Sequence, residues 1–340
     1  MRVLELFAGC GGAALAWHRA GAEHVGFVER DPFARRVLAR HWPGVPQHDD
    51  VTTFDASAYR GRVDVLSGGP PCQPVSHAGA RRGQADERWL WGAFIAAAVA
   101  CEAPVVVAEN PPALLSANEG DAFYAVLCAL GDAGYVVEWD CLAAGTVGAP
   151  HRRDRVWVVA SRVGPVLPAS DSQPSMFAGR PAAWPRAGRW KRHRLTASAE
   201  RWPAPSPLPW ETASGVGALP TPIATDGTKA PTNSLARTVE TGARKGRANR
   251  PLSDGRLSPD LAEWMMGMPL GWTRPDGASL LDAAPAPWLP DLTPTIGLTT
   301  EREHRRDRLR CAGNSVCVPA AETIARLVTA RAASRPAADG

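Results

Sequence analysis

Along the first 160 residues, short apolar runs alternate with alanine-rich stretches whose apolar positions recur every three to four residues. The runs RVLEL, HVGFVE, VDVLSG and VVVAE are rich in β-branched side chains and bounded by turn residues, the pattern of buried strands. Between them AALAWHRAG, DPFARRVLARHW, WGAFIAAAVAC and DAFYAVLCALGDAG have helical spacing. Strands alternating with helices predict βαβ units, hence an α/β, Rossmann-like fold with a mostly parallel sheet covered on both faces.

The pattern breaks from 161 to about 232, where 12 of the 32 prolines and four tryptophans fall and no long periodic segment survives. This stretch is too long and too rich in tryptophan for a plain linker, and it reads as an irregular second domain or extended loop system. A helical signal returns at LSPDLAEWMMG and again at SVCVPAAETIARLVTARAA. In the latter Val318, Ala321, Ala325 and Val328 form an apolar face that requires a partner, and GNSVCVP reads as the loop leading into it.

Charge adds a second asymmetry. Residues 1 to 160 hold 14 Lys and Arg against 18 Asp and Glu, and the remainder holds 24 against 16. A basic second half suits a polyanionic partner, although the excess of Arg over Lys (35 to 3) also fits a bias in genomic base composition. Seven cysteines without a CxxC pair or a Cys/His cluster at zinc spacing argue against a disulfide framework and a structural metal. A reducing, cytoplasmic setting is expected. Glu5 interrupts the N-terminal apolar run, and Glu102 and Pro104 break IAAAVACEAPVVVAE, so no membrane segment is expected.

Two loops carry candidate chemistry. In GGPPCQPVSHAG (68–79), prolines flank Cys72 just after a strand, which stiffens the loop and presents the thiol; a buried, inert cysteine in a turn is the plainer alternative. FAGCGG follows the first strand, and Gly9, Gly11 and Ala14 satisfy the GxGxxA dinucleotide fingerprint, with Glu29 20 residues after Gly9. A carboxylate there pairs with ribose hydroxyls of either NAD or S-adenosylmethionine, so this loop does not choose between them, and a structural glycine turn also stays open. Asp50, ending QHDD, suits an adenine amino group or a solvated turn.

Five segments in order resemble the cytosine-5 DNA methyltransferase family: FAGCGG, GGPPCQP, AEN at 108–110, HRRDR at 151–155 and GNSVCVP at 313–319. The resemblance covers residues 1 to 160 and about 300 to 330. Three departures stand out: Pro111 where the family usually has Val, His151 where it has Gln, and Leu261 where LSPDLAEWMMGMP would carry an acidic residue.

The resemblance implies a class I methyltransferase domain at 1–164, a smaller target-recognition domain at 165–300, and a C-terminal segment, 301–340, returning to the first domain. It implies that Cys72 adds as a thiolate to carbon 6 of a flipped-out cytosine, that Glu109 holds the N3 edge, and that Arg153 and Arg155 hold O2. On an extended segment the period of two puts both arginines on one side. An S-adenosylmethionine site is implied at Phe7, Ala8, Gly9, Cys10, Gly11, Gly12, Glu29, Arg30, Asp50, Val51 and Pro70, closed by Asn314 and Ser315. Double-stranded DNA is the implied substrate, with basic stretches 180–201 and 237–256 and Trp184, Trp190 and Trp202 along its backbone. A monomer is expected, with a cognate restriction endonuclease as a further partner. The competing readings are a tRNA-directed cytosine-5 methyltransferase, a nicotinamide-dependent oxidoreductase and a catalytically silent DNA-binding protein.

Overall fold

The computed structural model describes residues 1–71, 89–162, 166, 256–285, 288, 298–299 and 303–333. Seven strands form one sheet: β1 (Arg2–Leu6), β2 (Glu23–Val28), β3 (Gln47–His48), β4 (Val65–Gly68), β5 (Val105–Asn110), β6 (Val136–Ala143) and β7 (Asp154–Ser161). Their order is β3-β2-β1-β4-β5-β7-β6. The first five pair in parallel, and β7 runs antiparallel between β5 and β6. The β6–β7 pair carries no clean apolar run in its edge strand, where Glu138 and Asp140 interrupt VVEWDCLA.

Helices cover both faces: α1 (Gly12–Arg19), α2 (Pro32–His41), α3 (Trp91–Ala100), α4 (Ala113–Ser116), α5 (Asp121–Asp132), α6 (Pro259–Met265), α7 (Arg305–Asn314) and α8 (Val318–Ala333). The period of two along β5 divides the core. Val105 and Val107 pack in the layer of α1, α2 and α8, and Val106 and Ala108 in that of α3 and α5. Local sequence sets the helix starts. Asp31 accepts the Phe33 N–H at 2.9 Å with Pro32 in the first turn of α2, and Ser258 with Pro259 opens α6 in the same way.

The far end of the chain lies on the first helix. In α8, Val318, Ala321, Ala325 and Val328 are all buried, and Arg326 donates to the Arg19 carbonyl at 3.2 Å. GNSVCVP is not wholly a loop, because α7 absorbs Gly313 and Asn314. That helix escapes pattern reading because RRDRLRCAGN is dominated by charge, with Arg305 and Arg308 among its buried residues.

Of the stretch expected to carry recognition, residues 256–285 are described, and they pack on α2, α7 and the loop after β1. Cys72, the basic stretch at 180–201 and all of that at 237–256 but its last residue lie outside the described residues. Among the described residues no helix is long and apolar enough to cross a membrane, and no group of three or more His, Cys, Asp or Glu could hold a metal ion.

Candidate active site

Strand order reverses between β1 and β4, so the loops after these two strands leave the same sheet edge side by side. Open α/β sheets hold ligands at such a switch point, outside the carboxyl ends of the strands. Gly68 makes the close approach possible, since a Cβ there would lie 2.4 Å from the Leu6 carbonyl oxygen.

The first loop turns sharply. Phe7, Gly9 and Gly11 have φ of 57°, 54° and 81°. For Phe7 the left-handed conformation costs about 1–2 kcal/mol, and its half-buried ring packs 6.4 Å from that of Phe94. The Gly9 N–H donates to Glu29 Oε2 at 2.7 Å, and the Gly11 N–H turns back to the Ala8 carbonyl at 2.9 Å. Cys10 is buried behind the loop. A Cβ on Gly9 would meet nothing within 4 Å, so open space borders the loop there. A Cβ on Gly12 would lie 1.9 Å from Ser315 Oγ, which places the late GNS segment directly against the loop.

Glu29 follows β2. Its other oxygen accepts the Asp31 N–H at 2.7 Å, and burial pushes its carboxyl above the usual range although the Asp31 and Gly9 N–H groups oppose that. Arg30, next in sequence, is exposed. The Glu29 N–H donates to the His48 carbonyl at 2.9 Å, which brings the end of β3 alongside. Two residues on, Asp50 Oδ1 accepts the Thr52 N–H and hydroxyl at 2.8 and 2.7 Å, which hold its carboxyl below the usual range. Val51 is half-buried against the α3 side of the core.

The second cluster sits where β4 and β5 end and β7 begins. Glu109 ion-pairs with the Arg155 Nε, and both side chains are mostly buried. Glu109 Oε2 also lies 3.4 Å from where a Cβ on Gly69 would stand, so the carboxylate faces the loop that leads to Cys72. Asn110 Nδ2 donates to the Pro70 carbonyl at 3.1 Å, fixing that loop two residues before the cysteine. The AEN segment therefore turns a carboxylate toward Gly69 and holds the Pro70 carbonyl with an amide.

Arg153 is buried and Arg155 part-buried while Arg152 and Asp154 beside them are exposed, so Arg153 keeps the alternation by two. It precedes β7, is buried, and its Nη2 donates to the Gly313 and Ser315 carbonyls at 3.3 and 2.5 Å. Burial, with Arg155 nearby, pushes it down to about 9, which leaves it charged at neutral pH. Arg155 thus faces Glu109, and Arg153 ties the HRRDR segment to the late motif. His151 is buried too; its Nε2–H donates to the Met265 carbonyl at 3.0 Å, and burial pushes it down to about 3.

Several supporting residues had no signal in local pattern. Buried Glu5 and His24 face each other at 3.3 Å beneath the glycine loop, and burial pushes Glu5 up while His24 opposes this. Glu263 in α6 accepts the Gly271 and Thr273 N–H groups and Arg308 Nη2 at 2.6, 2.9 and 3.0 Å, joining α6 to α7. A carboxylate inside the apolar run LAEWMMGM was the one clue to it.

Comparison with known proteins identifies the family and the fold. A family model described as C-5 cytosine-specific DNA methylase matches residues 1–178. The type II methyltransferase M.Eco47II of Escherichia coli is 38% identical over 163 residues, which is 47% of this chain and 39% of that protein. M.NgoMIV of Neisseria gonorrhoeae is 35% identical over 158 residues, 46% of this chain and 50% of that protein. The chain thus matches half or less of the length of these curated relatives. Among solved structures, the S. pombe Dnmt2 methyltransferase superposes with a TM-score of 0.58 at 15% identity, covering 97% of this chain and 99% of that one. The Entamoeba histolytica methyltransferase EhMeth does so with a TM-score of 0.58 at 14% identity, covering 98% and 99%. These two establish a shared class I methyltransferase fold. With the family model spanning more than half of its residues, the chain belongs to the C-5 cytosine-specific DNA methylase family.

Proposed function

We propose that the protein methylates carbon 5 of cytosine within a specific sequence of double-stranded DNA, using S-adenosylmethionine as donor and Cys72 as nucleophile. The observation that carries this reading is the Glu109–Arg155 pair set against Gly69, on the loop that leads to Cys72 and beside the glycine loop. The donor reading has its own support in the open space beside Gly9 and in Glu29, a carboxylate already aimed at the loop. Phe7 to Gly12, Glu29, Arg30, Asp50, Val51 and Pro70 would hold the donor, with Asn314 and Ser315 closing the site. When bound, S-adenosylmethionine supplies an electrophilic methyl sulfonium.

The chain's own groups prepare the base. Carbon 5 of cytosine is a poor nucleophile, and addition of the Cys72 thiolate to carbon 6 turns the ring into an enamine. Glu109 holds the proton at N3, and Arg155 fixes that carboxylate and faces O2. Arg153 acts at one remove by holding the Gly313 and Ser315 carbonyls. A cytosine stacked in a duplex is out of reach of such a site, so the base is flipped out, at a cost of a few kcal/mol offset by phosphate and pocket contacts. Residues 165–300 are proposed to read the sequence. The type II names of the relatives support a cognate restriction endonuclease as partner.

Incubation with tritiated S-adenosylmethionine and duplex plasmid should label the DNA, and bisulfite sequencing should place the label at cytosines of one sequence context. Label appearing in tRNA but not in DNA, or oxidation of NADH without methyl transfer, would overturn the proposal.

A further inference from the structure

Trp272 lies beneath the glycine loop, in the turn that follows α6. Its side chain is fully buried, and the indole Nε1–H donates to the Cys10 carbonyl at 2.8 Å. The N–H of the same peptide unit, that of Gly11, donates to the Ala8 carbonyl at 2.9 Å. Both polar ends of the Cys10–Gly11 peptide are therefore occupied, which fixes the plane of that peptide in the middle of the loop.

The indole is itself held in place. Its ring stacks on the His41 imidazole at 3.7 Å and 5°, and it meets Trp42 edge-on at 5.8 Å. Trp42 in turn fills the space beside Gly11, where a Cβ would lie 2.6 Å from its ring. His41 has one tautomer: Nδ1 accepts the Leu280 N–H at 3.1 Å, and Nε2–H donates to the Trp272 carbonyl at 2.9 Å. One turn of chain is thus clamped to α2 and presents a single donor to the loop.

We infer that Trp272 is a positioning residue for the methyl donor, setting the Cys10–Gly11 peptide through its indole N–H. The inference rests on the donor reading of the glycine loop given above. It places a determinant of donor affinity 262 residues along the chain from the loop it supports, inside the stretch expected to read DNA. Without the indole N–H, the Cys10 carbonyl becomes a buried acceptor with no partner. The peptide then rotates to find one, and the loop's backbone donors move with it.

Trp272→Phe deletes the N–H and keeps a ring to stack on His41. Calorimetry of the full chain with S-adenosylhomocysteine is the test, because it returns Kd and the bound fraction separately. The expected result is a Kd raised about five- to tenfold with the bound fraction unchanged. Methyl-transfer kinetics should show the same split, with a raised KM for the donor and an unaltered KM for DNA. A Kd within twofold of the native value overturns the inference and leaves the functional reading intact. A bound fraction that falls while Kd stays constant marks Trp272 as a core residue alone, and likewise overturns it. Native protein that fails to bind S-adenosylhomocysteine removes the functional reading itself.

Discussion

Arg308→Met tests whether the late motif is held by a buried charge network. Arg308 is almost fully buried, donating to Glu263 Oε1 at 3.0 Å, Asp260 Oδ1 at 2.5 Å and Thr273 Oγ1 at 3.2 Å. Methionine fills similar volume without charge and strands the Glu263 carboxylate, which is fully buried. Breaking a buried pair from one side costs about 3–5 kcal/mol, a large share of the roughly 5–15 kcal/mol that holds a typical domain together. The carboxyl of Glu263 is already above its usual range through burial, with Arg308 opposing that shift. Losing the arginine raises it further. The stranded carboxyl then takes up a proton in the folded state at a higher pH than in the unfolded chain. Its penalty is absent below the unfolded value of 4.5 and fully present above the folded value, so the deficit relative to wild type shrinks as pH falls. Urea unfolding of both proteins at pH 7.5 and pH 5 reads this directly. Adding Glu263→Gln to Arg308→Met should recover about 1 kcal/mol or more at pH 7.5, because the neutral amide needs no counter-charge. A deficit under about 1 kcal/mol, or one that does not shrink on acidification, would refute the reasoning.

Three other outcomes follow from the same geometry. Cys72→Ala should abolish methyl transfer while DNA binding, measured by filter retention, persists; retained transfer removes the nucleophile assignment. Truncation after Arg310 deletes α8, whose buried Val318, Ile324 and Val328 each contribute about 1.5–3 kcal/mol, so the cooperative urea transition should be lost or shifted to very low denaturant. Burial pushes His41 down to about 4 and His151 to about 3, so both are neutral in the fold and take up protons on unfolding. Stability should therefore fall as pH drops below the unfolded value of 6.5, and His151→Gln, which keeps a donor for the Met265 carbonyl, should reduce that fall.

The sheet and its covering helices were legible because their signals are local. RVLEL and VVVAE state their strands in five residues, and DP before an amphipathic run states the start of α2. The glycine loop, Glu29 and Glu109 are placed together for a related reason, since each lies at or just past the carboxyl end of a strand, where a parallel sheet gathers its loops. For Arg153 the partners are what local pattern leaves out, since the carbonyls of Gly313 and Ser315 lie far along the chain. Its backbone continues the β6–β7 pairing, the Arg153 carbonyl accepting the Ala144 N–H at 3.1 Å, and only its guanidinium reaches to the late motif. The same logic hides Arg308. A charged residue in RRDRLRCAGN is read as solvated, and only its carboxylate partner 45 residues away makes it a core residue.

The illegible contacts share a further property, which bears on how the site is built. Arg153 to Ser315, Trp272 to Cys10, His151 to Met265 and the Val318 N–H to Met266 at 2.9 Å all join a recognisable motif to the segment 265–318. Each ends on a backbone carbonyl, and any residue type supplies that acceptor, so one partner of every pair carries no chemical mark in the sequence. The motifs therefore carry the groups proposed to do chemistry, while these four links between motifs rest on donors reaching for anonymous backbone. Substitutions in 258–273 should accordingly act on loop placement before they act on chemistry, raising donor KM with the pH dependence of turnover unchanged. Pre-steady-state measurement of the methyl-transfer step across such variants separates the two effects, and a slowed chemical step at saturating donor would contradict this division.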